Sequence, residues 1–316
     1  MEKKLNVKKI VVALVVLSVI VFVLYKIISN AIETSNYHKT NEYKLSEVGY
    51  TENEVKLLLD RLSDDQIADI LKMKYDVALT KFLVEKYYLY SNLNRYLDYY
   101  NNNKDVNISD VVAIVNVGAD KQWYEAVKET DVSKGNLMLV NKFNALPETF
   151  EPTDLQEIPG YYALEGMYMS SSIYDDLTAM LDAAREAGYT MVVTQGYRSF
   201  DEQASTYKDI EDYNDTRYAD SVAARPGHSE YQTGLGVMVE PYGKEVQDVK
   251  TSEENKWLLN NAHKYGFILR YPEGKSNITG FNYDPWRLRY VGVDASSKIH
   301  NEGITFDEYY AYYINK

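Results

Sequence analysis

The apolar positions of the chain follow three successive patterns. Residues 10–28 form an almost unbroken apolar run, interrupted only by Ser18 and Lys26. Nineteen helical residues span roughly 28 Å, close to the hydrocarbon thickness of a bilayer, so this run predicts a transmembrane helix. Residues 29–50 are polar and read as a linker. From Thr51 apolar residues recur at three and four: Val55, Leu58, Leu59 and Leu62, then Ile67, Ile70 and Leu71 behind the capping box Ser63-Asp64-Asp65-Gln66. A third helix is predicted to carry Leu79, Leu83, Tyr87, Tyr90, Leu93 and Leu97, completing a small helical module over residues 51–104. Asn101-Asn102-Asn103-Lys104-Asp105 breaks the pattern and marks a domain boundary. Over residues 105–316 the periods mix. Residues 111–117, 191–193, 235–239 and 288–292 read as strands, and residues 172–187 and 257–265 as helices stopped by Gly188 and Gly266. Strands and helices without regular alternation predict an α+β fold, with no internal repeat.

Charge changes this picture at the front of the chain. The net charge is −13, but the first thirty residues hold five lysines against Glu2, leaving 29 basic and 46 acidic residues, a net charge of −17, on the rest. Lys3, Lys4, Lys8 and Lys9 precede the apolar run, which predicts a cytoplasmic tail at 1–9, a single-pass anchor at 10–28 and an extracytoplasmic body. Ser29-Asn30-Ala31 offers a weak signal-peptide cleavage site, yet the run is longer than the usual ~7–15-residue signal core, which favours an uncleaved anchor. An acidic body gives no support for nucleic-acid binding. The absence of cysteine excludes disulfides, thiolate metal sites and a cysteine nucleophile. Tyrosine supplies 31 of the aromatic residues against 8 Phe and 3 Trp. The stripe of Tyr87, Tyr88, Tyr90, Tyr96, Tyr99 and Tyr100 reads as packing surface, with partner or glycan binding the sharper alternative.

Candidate chemistry is sparse. There is no phosphate loop, dinucleotide fingerprint or H-E-x-x-H. Ser205-Thr206-Tyr207-Lys208 fits S-x-x-K without its companion motifs. The histidines are His38, His228, His263 and His300. The informative blocks are Gln195-Gly196-Tyr197-Arg198-Ser199-Phe200-Asp201-Glu202-Gln203, then Arg225-Pro226-Gly227-His228-Ser229-Glu230-Tyr231-Gln232-Thr233-Gly234-Leu235-Gly236-Val237-Met238, then Asp284-Pro285-Trp286-Arg287-Leu288-Arg289-Tyr290-Val291-Gly292. Together with Leu139-Val140-Asn141-Lys142 and Pro152-Thr153-Asp154-Leu155, they resemble, in order and spacing, the VanY-type zinc D-alanyl-D-alanine carboxypeptidases of the M15 peptidase family. The resemblance covers roughly residues 109–309. It implies a compact domain with a central antiparallel sheet flanked by helices, export to the cell envelope, and peptidoglycan stem peptides as ligand.

The same blocks depart from the family where its chemistry resides. The family motif S-x-H-x-x-G-x-x-x-D provides two zinc ligands; Ser229 and Gly234 are kept, but Tyr231 and Met238 stand at the ligand positions. The motif E-x-W-H provides a base and the third ligand; here Asp284 stands at the base position and Arg287 at the ligand position, around a retained Trp286. A guanidinium has no lone pair to offer, a thioether prefers softer metals, and a phenol is mostly protonated at neutral pH. No zinc cofactor and no catalytic residue are therefore expected. A displaced site using Met238, Glu240, His228 or Glu230 is the enzymatic alternative, and an active D,D-carboxypeptidase its consequence. By the resemblance Arg198, Gln203, Ser229 and Trp286 are the substrate-binding candidates. Arg198 is open to two readings, a ligand-facing cation or a structural salt bridge, and Trp286 likewise to cleft wall or core. The expected function is a membrane-anchored pseudoenzyme that binds a stem peptide or a cell-envelope protein; a scaffold acting through its tyrosine-rich helices is the third reading.

Overall fold

The computed structural model describes residues 7–243 and 252–315, and the chain divides into two compact units between Tyr88 and Leu89. The first unit opens with α1 (Val7–Tyr37), followed by α2 (Asn41–Val48), α3 (Glu52–Arg61), α4 (Asp64–Ile70) and α5 (Val77–Leu83). The apolar side chains of α1 face outward, with Leu17 and Phe22 56% and 60% exposed. Its most apolar stretch has a mean hydropathy of 2.9, and the helix is long and apolar enough to cross a membrane. The polar stretch after it is more ordered than the predicted linker. Helix α1 continues through Tyr37, and α2 is closed by Thr40, whose side chain accepts from the Tyr43 N–H, and by Gly49 in the left-handed conformation (φ 117°). One buried side chain, Leu45, anchors α2, too little for an apolar pattern to reveal it. The Ser63 capping box forms as predicted, with Ser63 N–H donating to Gln66 Oε1 at 3.0 Å. Val55, Leu58, Ile67, Ile70, Leu79 and Phe82 make the core of this unit.

The predicted third helix is two helices. Helix α5 ends at Leu83, Leu89 is extended, and α6 (Leu93–Asn102) begins afresh in the second unit. No proline or glycine marks this break, so local sequence carries no stop signal there. It splits the tyrosine stripe and puts the division of the chain earlier than the boundary expected at residue 105. Tyr96 alone of the stripe is fully buried, its hydroxyl donating to Asn116 Oδ1 at 2.5 Å. The run at 111–117, read as a strand, is instead part of α7 (Ile108–Val117). Asn107 caps its start and Gly118 (φ 87°) its end, and the β-branched run is buried along the helix. Caps and burial on all sides override β propensity, and continuous burial hides the period that separates helix from strand.

Two short pairs follow, β1 (Lys128–Glu129) parallel to β2 (Asn144–Ala145) and β3 (Leu155–Glu157) antiparallel to β4 (Tyr168–Ser170). The remaining elements are α8 (Tyr174–Glu186), β5 (Met191–Gln195), α9 (Phe200–Tyr213), α10 (Thr216–Val222), β6 (Gly236–Pro241), α11 (Glu253–Asn261), β7 (Phe267–Tyr271), α12 (Ser276–Thr279), β8 (Asp284–Tyr290), α13 (Val293–Glu302) and α14 (Phe306–Tyr309). Strands β5, β6, β8 and β7 form, in that order, an antiparallel sheet. Partners in register share a face. Val193 opposite Val239 and Val237 opposite Leu288 therefore form one apolar face, which shares a core with Leu177, Met180, Leu181 and Ala184 of α8. The other face is polar, carrying Met238, Glu240, Arg287 and Arg289. Strand β7 was not foreseen, although Phe267-Ile268-Leu269 behind the Gly266 stop is an apolar run of strand length.

Candidate functional site

The polar face of the sheet holds most of the residues singled out by the sequence. A cross-strand row runs Gln195, Met238, Arg287 over β5, β6 and β8. A register shift between Val193 and Gln195 turns Gln195 onto this face, and Thr194 Oγ1 donates to Glu240 Oε2 at 2.5 Å beside it. Beyond β5 the chain passes so close to β4 that a Cβ on Gly196 would lie 2.3 Å from the Tyr168 carbonyl oxygen, which makes glycine obligatory there. Arg198 follows, its N–H donating to the Tyr231 carbonyl at 3.3 Å, and Ser199 caps α9 in a capping box with Glu202.

A 3-10 turn, Glu230–Thr233, carries Tyr231 to the same place. Gly234 closes this turn in the left-handed conformation (φ 68°), and a Cβ there would crowd the Ser170 backbone at 3.0 Å. The Tyr231 ring is 2% exposed. The Arg198 guanidinium lies 5.0 Å and the Arg287 guanidinium 4.8 Å from its centroid, both within cation–π range. Thus Arg287, distant in sequence, converges on one position with Tyr231 and Met238.

The hydrogen bonds around this position are unevenly distributed. Arg198 donates to Gln195 Oε1 at 2.5 Å and Gln203 Oε1 at 3.0 Å, and no carboxylate among the described residues pairs with it. The structural salt-bridge reading of Arg198 therefore does not hold. Arg287 Nε lies 3.1 Å from Asp284 Oδ2 as an ion pair, but its N–H is not directed at the oxygen and makes no hydrogen bond. The buried Tyr231 hydroxyl also lacks a hydrogen-bond partner among the described residues. Burial pushes the Tyr231 phenol up from its ordinary pKa, against the pull of the Arg287 charge. Burial likewise lowers the Arg198 pKa, helped by the like charge of Arg287.

The other assigned residues stand behind this position. Gln203 is 2% exposed, spends its amide nitrogen on the Ala224 carbonyl at 2.7 Å and accepts from Arg198, which it orients. Ser229, 1% exposed, caps the turn by accepting from the Tyr231 N–H. Trp286, 7% exposed, points to the apolar face and packs in the core. Asp284 accepts from the Trp286 N–H at 3.2 Å as well as pairing with Arg287.

Of the four residues of the displaced-site reading, Met238 lies opposite Arg287, Glu240 accepts from Thr194, and His228 and Glu230 are held elsewhere. His228 is bound through Nδ1 to the Asn141 carbonyl at 2.7 Å, and burial lowers its pKa. Glu230 is locked between Arg270, at 2.5 Å, and Arg289, and Arg270 also donates to Asp307 at 2.5 Å. All four charges are no more than 3% exposed, and sequence reasoning missed this network entirely. Among the described residues no group of three or more histidine, aspartate or glutamate side chains is arranged to hold a metal ion. His263 and His300 stack on each other at 3.7 Å, and the chance S-x-x-K match lies on the exposed face of α9, with Lys208 paired to Asp212.

The comparisons with known proteins agree with this geometry. The family model described as VanY, D-alanyl-D-alanine carboxypeptidase, matches residues 166–293. The carboxypeptidase-named protein YodJ of Bacillus subtilis strain 168 is 35% identical over 204 residues, which cover 60% of this chain and 75% of the relative. The chain belongs to the VanY D-alanyl-D-alanine carboxypeptidase family. The bifunctional D-Ala-D-Ala dipeptidase and carboxypeptidase VanXYC of Enterococcus gallinarum is 32% identical over 181 residues, 56% of this chain and 94% of the relative. Among solved structures, the LdcB LD-carboxypeptidase, described as revealing the molecular basis of peptidoglycan recognition, matches with a TM-score of 0.55 and 36% identity over 60% of this chain and 91% of that one. Zinc is the metal this VanY relationship implies, and the side chains at the three ligand positions do not fit it. A protonated, buried phenol, a thioether and a guanidinium offer no set of three nitrogen or carboxylate donors.

Proposed function

We propose that this VanY-family chain is a membrane-anchored, extracytoplasmic pseudoenzyme that binds the D-Ala-D-Ala end of a peptidoglycan stem peptide without hydrolysing it. The observation that carries the reading is the convergence of Tyr231, Met238 and Arg287: Met238 sits opposite Arg287 in register, and Arg287 lies on the Tyr231 ring. The positions that would hold a metal are thus filled by one packed cluster whose members cannot ligate zinc. Binding is retained in this reading because Arg198 keeps its place, held by Gln195 and Gln203, with no carboxylate to neutralise it. Relatives named for D-Ala-D-Ala cleavage and a neighbour described for peptidoglycan recognition support the ligand class. The apolar α1 helix, preceded by lysines, supports the anchor and its orientation.

The experiment is to incubate the purified full chain, in detergent, with a D-Ala-D-Ala-ended stem peptide and measure both bound peptide and released D-alanine. Binding without release is expected. Release that a chelator abolishes would establish the active enzyme instead.

A further inference from the structure

The groups left without partners around Tyr231 have one chemistry in common. Among the described residues the buried Arg287 Nε–H makes no aligned hydrogen bond; its contact is the ion pair with Asp284 at 3.1 Å. The Tyr231 hydroxyl is buried and meets no acceptor among the described residues. Arg198 brings a second positive charge onto the same ring, and its amide partners Gln195 and Gln203 do not neutralise it. Buried donors without acceptors are costly, and the penalty falls when a ligand supplies the missing acceptor. The Arg287 side chain is 14% exposed, with its Nε buried and its guanidinium held on the Tyr231 ring. Among the described residues Asp284 is its sole carboxylate partner, and it does not make the aligned bonds that a guanidinium forms with a well-placed carboxylate.

Resting on the stem-peptide reading above, we infer that the place of the family's zinc is in this chain a carboxylate-binding site, where Arg287, Tyr231 and Arg198 hold the C-terminal carboxylate of a peptide. The role reverses the chemistry of the position: a group that would polarise a scissile carbonyl is replaced by donors that take the free acid of the chain end. Arg287 exchanges its unaligned contact with Asp284 for a forked pair of bonds to the ligand. Asp284 then opposes binding, because its charge competes for the same guanidinium and repels an incoming carboxylate.

The test is equilibrium titration of the full chain in detergent with D-Ala-D-Ala, its C-terminal amide, sodium acetate and inorganic phosphate. The free acid is expected to bind at least ~10-fold more tightly than the amide, and acetate to compete with it, as for hydrogen bonds to a charged group. Arg287→Gln lowers acid affinity more than amide affinity and so removes that preference, Arg287→Lys restores part of it, and Tyr231→Phe lowers acid affinity less than Arg287→Gln. Asp284→Asn tightens acid binding, which a purely structural Arg287 would not produce. Unchanged melting temperatures show that each variant is folded. Equal binding of acid and amide, indifferent to Arg287→Gln, overturns the carboxylate site and leaves the stem-peptide reading standing. Acetate binding that depends on Arg287, with neither dipeptide form bound, upholds the site and overturns the stem-peptide reading. Phosphate bound more tightly than acetate and the dipeptide overturns the carboxylate assignment, and binding of no probe overturns both.

Discussion

Arg287 and Arg289 lie two residues apart on β8 and point to the same face of the sheet, yet their surroundings are opposite. Arg289 is 0% exposed and fully engaged: it donates to Glu230, to the Met138 carbonyl at 2.9 Å and to the Asn136 carbonyl at 3.0 Å. Through Glu230 it joins Arg270 and Asp307, so one carboxylate ties together the 3-10 turn, β7 and β8, and Arg270 extends the tie to α14. Arg287, also largely buried, has one unaligned ion pair and no hydrogen bond among the described residues. A saturated buried charge explains itself as architecture. A buried charge left with unspent donors has no such duty, and the proposed carboxylate site rests on this difference.

The strongest way to break the comparison is to open the saturated side. Glu230→Gln removes the carboxylate shared by two buried guanidinium groups and is expected to destabilise the fold by about 3–5 kcal/mol, read by denaturant unfolding of the full chain. A loss under about 1 kcal/mol would mean that the network is not what holds the turn carrying Tyr231.

Lys142 sharpens the comparison from between the two extremes. It is 2% exposed, donates to the Asp220 carbonyl at 2.7 Å and lies over the rings of Trp123, Tyr124 and Phe281. Burial lowers its pKa from 10.5 to about 8. Between these values the unfolded chain binds more protons than the folded one, so stability rises with pH through this window and the deficit is complete below it. The expected gain is on the order of 2–3 kcal/mol, measured as the difference between the wild type and Lys142→Met across pH 7.5 to 10.5. Parallel curves for the two proteins would contradict it. The smallest effect belongs to the unspent arginine: Arg287→Met is expected to cost about 1 kcal/mol, because it forfeits one unaligned ion pair and a cation–π contact but no aligned hydrogen bond. A loss comparable to that of Glu230→Gln would make Arg287 a structural residue after all.

Much of this division was legible in the chain itself. The apolar run before Ile28 became α1, and the Met191-Val192-Val193 and Leu235 to Val239 stretches became parts of β5 and β6. The motif blocks located Arg198, Tyr231, Met238 and Arg287, and the sheet register brings them together. What stayed hidden depends on contacts between distant residues. Glu230 and Arg270 are separated by 40 positions, and Glu230 and Arg289 by 59, so no local pattern announces their pairing. Nothing in the motifs shows that the Gln203 and Ser229 side chains are spent on Arg198, the Ala224 carbonyl and the Tyr231 N–H; their hydrogen bonds do. The misread run at 111–117 and the broken third helix fail for a related reason, since packing rather than propensity decided both.

The central claim is that side-chain type alone, on an intact scaffold, has changed a metal position into a donor cluster. It is tested most directly by zinc titration and metal analysis of the purified full chain beside the triple variant Tyr231→His, Met238→Asp, Arg287→His. The account predicts no zinc above trace in the wild type and tight binding in the variant, whereas stoichiometric zinc in the wild type would contradict it.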